Sequence, residues 1–166
     1  MFSIGSYIVY PMYGAGQIVD IEEKIIDGKT QKYYVINIPM GNLNISVSVD
    51  SSEKMGLRDI YSKEKLLDIF ENMSLEVVEN TENWNVRYRQ NLDNIKTGDF
   101  SKVLNVYKEL FIREHGRSLS SAEKKLLSTS KQIILSEIIL VFGIDRSQAE
   151  EKLSSKIDMC INYLKA

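Results

Sequence analysis

Residues 42–49 read NLNISVSV, and in them Leu43, Ile45, Val47 and Val49 alternate with Asn44, Ser46 and Ser48. A period of two marks a half-buried β-strand, because successive side chains of a strand point to opposite faces. Shortly afterwards, residues 62–73 read SKEKLLDIFENM, with Leu66, Leu67, Ile69 and Phe70 at helical spacing and Ser62 placed to cap the helix. The period changes between these two stretches. Strands followed by helices, rather than strands alternating with helices, predict an α+β chain of two domains.

Working outward toward the start of the chain, SYIVY (6–10), GQIVDIEEKII (16–26) and QKYYVINI (31–38) are rich in the β-branched and aromatic residues that suit strands. Asp27-Gly28 between the last two is a hairpin signal, since a tight turn of matching twist needs positive φ. Gly14 and Gly16 punctuate the first connection and Met40-Gly41-Asn42 the third. Four or five short antiparallel strands in so little chain predict a small, strongly bent sheet or barrel.

Outward in the other direction the pattern is helical and predicts a compact all-α bundle. One helix fits Glu82 to Lys96 and ends at Gly98; another runs from the N-cap Asp99 to His115 with Val103, Val106, Tyr107 and Leu110 on one stripe. Ser120 and Glu123 have capping-box spacing, in which each side chain satisfies a free amide of the first turn. They open a helix whose apolar stripe is Leu126, Leu127, Ile133, Ile134, Ile138 and Val141. A last helix starts near Asp145 or Ser147 and is expected to bury Ala149, Leu153, Ile157, Cys160 and Leu164. The boundary falls between Asn72 and Thr81, where the polar ENTEN interrupts the pattern.

The net charge of -2 conceals a split. Residues 84–131 hold ten basic and five acidic side chains, whereas residues 1–75 hold seven basic and ten acidic ones. That asymmetry suggests two different partners, unless the charges only solvate helix faces. A single cysteine cannot form an internal disulfide and suits a reducing compartment. With no basic-then-apolar leader and no apolar run of the ~20 residues a membrane span needs, a cytoplasmic location is expected.

Catalytic chemistry has little to work with. His115 lies in the charged stretch REHGR, and Cys160 lies on an apolar stripe. Together they are too few for a structural zinc site, so no metal is expected. GAGQIV at residues 14–19 lacks the third glycine and the following helix of a dinucleotide fingerprint, so no cofactor is expected either. Glu22-Glu23 and Glu150-Glu151 read as solvated charge. No catalytic residue is assigned.

Nucleic-acid contact has more support. Residues 84–89, WNVRYR, combine a flat apolar group with two arginines, which suits groove insertion beside phosphates. Lys124, Ser128 and Lys131 fall at i, i+4 and i+7 with Lys125 beside them, a basic strip near a helix start. Against this, Trp84, Tyr88, Leu92 and Ile95 have the spacing of an ordinary core stripe. Trp84 sits in the first turn, however, where a stripe can run past the edge of a core.

The blocks IGSYIVYPMYGAGQI (4–18), GLRDI (56–60), NWNVRYRQNL (83–92), TGD (97–99) and LSSAEKKLL (119–127), in this order, resemble the CarD/CdnL family of bacterial transcription regulators. The first block is also similar to the RNA-polymerase-interacting domain of transcription-repair coupling factors. The resemblance implies a Tudor-like β-barrel over residues 1–60 that docks on the β1 lobe of the RNA polymerase β subunit. It implies a connecting helix and linker over 61–80 and a helical domain over 81–166 that binds promoter DNA near the −10 element, largely without reading sequence. A tryptophan matching Trp84 would wedge into the minor groove at the upstream edge of the bubble and stabilise the open complex. Arg87, Arg89, Lys124 and Lys125 match basic residues of the family, and Arg117 and Lys131 join them as expected DNA contacts. Strand edges carrying Gln17, Val19, Ile21, Glu23, Ile45, Ser46 and Val47 are the expected polymerase contacts. Two positions depart from the family pattern: Val86 and Ser46 stand where relatives often carry basic residues. The same resemblance implies no membrane and no small-molecule substrate, and association with the nucleoid through polymerase. The competing reading is a protein–protein adaptor whose helical domain touches no DNA.

Overall fold

The turn at Asp27-Gly28 has both residues at positive φ, 52° and 74°, the backbone of a tight hairpin turn with the twist of its strands. It joins β2 (Gly14–Ile26) to β3 (Lys29–Ile38), the long ribbon of a five-stranded antiparallel sheet in the computed structural model, which describes residues 1–76 and 80–165. With β1 (Tyr7–Tyr10), β4 (Leu43–Ser48) and the short β5 (Arg58–Asp59), the strand order is β4-β3-β2-β1-β5. A register shift between Ile18 and Asp20 bends β2 against β3. The inner face buries Ile8, Ile18, Tyr34, Ile36, Ile38, Val47 and Leu57, and the Tyr34 hydroxyl accepts a hydrogen bond from the Phe2 amide at 3.0 Å.

Five helices follow: α1 (Lys63–Asn72), α2 (Trp84–Lys96), α3 (Phe100–Gly116), α4 (Ser121–Phe142) and α5 (Arg146–Lys165). Their starts are set by side chains that satisfy first-turn amides. Ser62, Asn83, Asp99 and Ser120 accept from the amides of Lys65, Val86, Lys102 and Glu123, respectively. At the end of α4, Gly143 supplies the left-handed residue at φ 63°. Leu66 and Phe70 of α1 pack into the same core as Leu104, Leu110, Ile134, Leu153 and Ile157, so α1 is part of the bundle, with Leu67 turned outward. Leu164, expected in the core, is 50% exposed at the last turn of α5. The expected boundary between Asn72 and Thr81 includes positions 77–79, which lie outside the described residues.

The sheet and the bundle meet along α4. The Ala15 amide in β2 donates to Ser136 Oγ at 2.8 Å, in a buried bond. Gly14 makes that approach possible: at φ +109° a Cβ there would lie 2.6 Å from Ser136 Oγ. Arg58 forms a two-pronged ion pair with Glu137, at 2.6 and 2.9 Å, and Glu137 Oε2 also accepts from the Tyr61 amide at 2.9 Å. Arg58 Nε donates to the carbonyl of Gly98, between α2 and α3, at 2.9 Å, and its guanidinium lies 3.9 Å from the centroid of the Tyr61 ring. Gly98 itself packs so closely that a Cβ would be 2.9 Å from Pro11 Cγ.

Gly14→Ala is therefore expected to cost about 2 kcal/mol or more, from backbone strain plus the clash with Ser136. Gly28→Ala, where nothing lies within 4 Å, is expected to cost only the left-handed strain, about 1 kcal/mol. Urea denaturation of the two variants side by side checks the contrast.

Candidate nucleic-acid interface

Asn83 fixes where α2 begins, its Oδ1 accepting from the Val86 amide at 3.1 Å, and so holds Trp84 in the first turn. From there the stripe descends into the bundle: Trp84 is 50% exposed, Tyr88 and Leu92 are half-buried, and Ile95 is fully buried. The core reading of the stripe holds for its inner end, and Trp84 is the residue that runs past the edge. An indole half in water is an exposed flat apolar surface with no internal role that accounts for its exposure.

Arg87 departs from its expected place on the DNA-facing surface. Only 7% exposed, it donates from Nη2 to Glu123 Oε1 at 2.7 Å and from Nη1 to the carbonyl of Glu82 at 3.0 Å. Glu123 is 1% exposed. A carboxylate so far from water needs a close cation, and α2 supplies the nearest one. This also alters the expected capping box. Ser120 does cap the Glu123 amide, at 3.2 Å, but the Glu123 carboxylate turns to Arg87. The pair joins the first turn of α2, which carries Trp84, to the first turn of α4, which carries Lys124 and Lys125, both exposed.

The rest of the expected DNA set divides. Arg89 is exposed on α2, and Arg117 is exposed just beyond α3. Lys131 is partly covered and lies 3.8 Å from Glu150 of α5, a weak pair in water. Around Arg87 a polar cluster continues inward. Asn91 is 3% exposed, and the Arg113 guanidinium reaches the carbonyl of Asn80 at 3.5 Å. Burial pushes the Glu109 carboxyl above the usual range, against the opposing pull of Asn80, Arg87, Arg113 and Asn91. Sequence spacing could not reveal this cluster, because its members come from three helices.

On the sheet, the expected polymerase contacts also divide. β4 is an end strand of the sheet, so its outer edge pairs with no other strand among the described residues. Ile45 is half-buried and Ser46 exposed, but Val47 is 5% exposed and turned into the sheet core, leaving only its backbone at the edge. Gln17 is not at an edge, being paired with both Tyr7 and Asn37. Val19, at 45% exposure, and Glu23 are open, and Ile21 is half-buried on the part of β2 beyond its pairing with β1. Arg58 and Glu137 went unnoticed in the sequence. The available signal was an acid inside the apolar run IILSEIIL (133–140), where an unpaired charge would be intolerable.

Other chemistry is sparse. Cys160 is fully buried, and burial pushes its thiol pKa up, opposed by Lys108 and Lys156. Among the described residues no group of three His, Cys, Asp or Glu side chains could hold a metal ion, and no single helix is long and apolar enough to cross a membrane.

The chain thus joins a five-stranded sheet to a five-helix bundle that exposes a tryptophan at the start of α2, and comparison with known proteins places that frame in a family. Residues 2–61 match the CarD-like/TRCF RID domain, which is Tudor-like, and residues 68–154 match the CarD C-terminal domain. YdeB of Bacillus subtilis (strain 168), a protein named as a proposed transcription factor, is 33% identical over 151 residues, covering 89% of this chain and 97% of its own. The chain belongs to the CarD/CdnL family of transcription regulators.

Removing the Glu123 carboxylate would leave Arg87 charged and buried without its ion-pair partner, so Glu123→Ala is expected to destabilise the fold by about 3–5 kcal/mol. Adding Arg87→Met should recover much of that loss, as read by the urea midpoint. The folded protein holds the Glu109 proton more tightly than the unfolded chain does. Stability from this group is therefore full below the ordinary glutamate range and lost as pH rises through the raised folded value. Glu109→Gln should flatten that slope, which begins at the ordinary glutamate range and runs upward in pH.

Proposed function

We infer that this chain is a transcription-initiation regulator that docks its sheet domain on the RNA polymerase β subunit and holds the upstream edge of the promoter bubble with its helical domain. In this reading residues 1–60 form the polymerase-interacting part and residues 81–166 the DNA-binding part. The observation that carries it is Trp84, half-exposed in the first turn of α2, a helix start tied by the buried Arg87–Glu123 pair to the first turn of α4, where Lys124 and Lys125 are exposed. An indole of this kind inserts at a flexible, partly unstacked step of the minor groove near the −10 element, and the lysines with Arg89 meet the flanking phosphates. None of these groups reads a base edge, so binding is largely independent of sequence. Arg117 and Lys131 lengthen the basic track, and Lys131 must exchange Glu150 for a phosphate to take part. Arg87 acts indirectly, by fixing α2.

A few phosphate contacts hold DNA weakly, and attachment to polymerase raises the effective concentration of the wedge at the fork. The matched RID type of domain and the unpaired outer edge of β4 support a docking by strand addition at the β1 lobe, with Ile45 and Ser46 flanking the new strand. Val19, Ile21 and Glu23 offer side-chain contacts on the second open stretch. Ser46 brings no charge to that contact, so it rests on backbone pairing and shape. Location follows the partner, in the cytoplasm at the nucleoid.

A differential binding of about 1–3 kcal/mol in favour of the melted fork lengthens the open state roughly 5- to 150-fold. The test is the lifetime of open complexes on a promoter with an unstable bubble. Wild type should lengthen it. Trp84→Ala should remain folded by circular dichroism, bind polymerase normally and lose the effect, since its side chain carries little packing. Lys124→Glu with Lys125→Glu should weaken the effect most at low salt. Unchanged lifetimes with wild type, alongside intact polymerase binding, would leave an adaptor instead.

A further inference from the structure

Helix α4 carries two buried acids, Glu123 and Glu137, each 1% exposed. They are fourteen residues apart, close to four helical turns, so they project from nearly the same face about 21 Å apart along the axis. Each grips an arginine from a different functional element. Glu123 holds Arg87 of α2, one turn beyond Trp84, and Glu137 holds Arg58 of the sheet domain. Each arginine also donates to a backbone carbonyl: Arg87 to Glu82, just before α2, and Arg58 to Gly98, just after it. At the sheet end Ser136 adds a bond to the Ala15 amide, with Gly14 leaving no slack between the backbones.

We propose that α4 is a measuring rod, and that Arg58, Glu137, Arg87 and Glu123 are positioning residues clamping the polymerase-binding sheet and the Trp84 wedge at one fixed separation and angle. The inference deepens the function proposed above and rests on it. It concerns coupling between the two contacts, not either contact alone. A wedge on a loosely hinged domain samples many positions once the sheet is docked, and its effective concentration at the fork falls in proportion. A wedge on a rigid rod arrives in register each time. Two ion pairs seated on buried carboxylates suit this purpose better than apolar contacts. An apolar interface of similar area tolerates sliding, whereas a two-pronged guanidinium–carboxylate pair fixes direction as well as distance.

The test separates coupling from binding. Glu137→Gln keeps the side-chain shape and removes the charge at the sheet end. It should leave polymerase affinity and the fork-DNA affinity of the free protein within about 2-fold of wild type, yet shrink the open-complex lifetime gain about 10-fold or more. Spin labels at Tyr7→Cys in β1 and Asp93→Cys in α2 report the separation directly, because both positions are exposed while Cys160 is fully buried and escapes labelling. The distance distribution should be narrow in wild type and broad with Glu137→Gln. Glu123→Gln should behave differently, weakening fork-DNA binding with polymerase affinity kept. If Glu137→Gln does not fold, Arg58→Lys, which keeps the charge and loses the fork geometry, carries the same comparison.

A full lifetime gain in a folded Glu137→Gln or Arg58→Lys protein whose distance distribution has broadened overturns the proposal. So does a distribution that stays narrow. If wild type itself gives no lifetime gain, the initiation reading fails, and the width of the distribution still decides whether the clamp exists.

Discussion

A charged carboxylate at 1% exposure is tenable only with a close cation, and this molecule places two of them on one helix. That requirement organises everything else. Glu123 obliges α2 to present Arg87 inward, which fixes the roll of α2 and therefore the direction of Trp84. Glu137 obliges the sheet domain to present Arg58, which fixes the sheet against α4. Apolar burial makes each core stable, but it is the two ion pairs that say how the parts are oriented. Removing either arginine costs more than its pair contributes, because the carboxylate left behind remains buried and charged.

The elements of the fold were legible because their signals are local. The alternation of residues 42–49 is β4 with the turn that follows it, Asp27-Gly28 is a positive-φ hairpin, and Ser62, Asp99 and Ser120 cap the helices they were expected to open. The failures have one cause in common, which is that burial depends on neighbours from distant chain. Arg87 looks like a surface base until Glu123 is brought beside it. Val47 looks like an edge contact until the sheet curves over it. Leu164 continues the apolar stripe of α5 yet stays half-exposed in its last turn. Arg58 and Glu137 are separated by most of the helical domain, and only the acid in an apolar run hinted at a buried partner.

The split of charge along the chain acquires a physical meaning from these corrections. Part of the basic excess in residues 84–131 is internal: Arg87 neutralises Glu123, and Lys108, 8% exposed, donates to the carbonyls of Ser74 and Glu76. What remains on the surface includes Arg89, Lys124 and Lys125, gathered near the two helix starts. A smaller set of cations in one place is more useful for meeting a phosphate backbone than an excess spread along the chain. Electrostatic attraction between exposed charges dies away within about 8 Å at physiological salt.

The exposure of Trp84 follows from the same geometry. Its position in the first turn means that no residue of the helix precedes it to shield the ring, and Asn83 fixes the start so that α2 cannot extend backward to cover it. Sliding the stripe inward by a turn would bury the indole, but it would drag Arg87 away from Glu123 and strand both charges in the core. The cost of leaving half an indole in water is smaller than the cost of two unpaired buried ions. The ion pair thus holds an apolar ring at the surface against its own tendency to be buried, and the ring is relieved of water only when another molecule covers it.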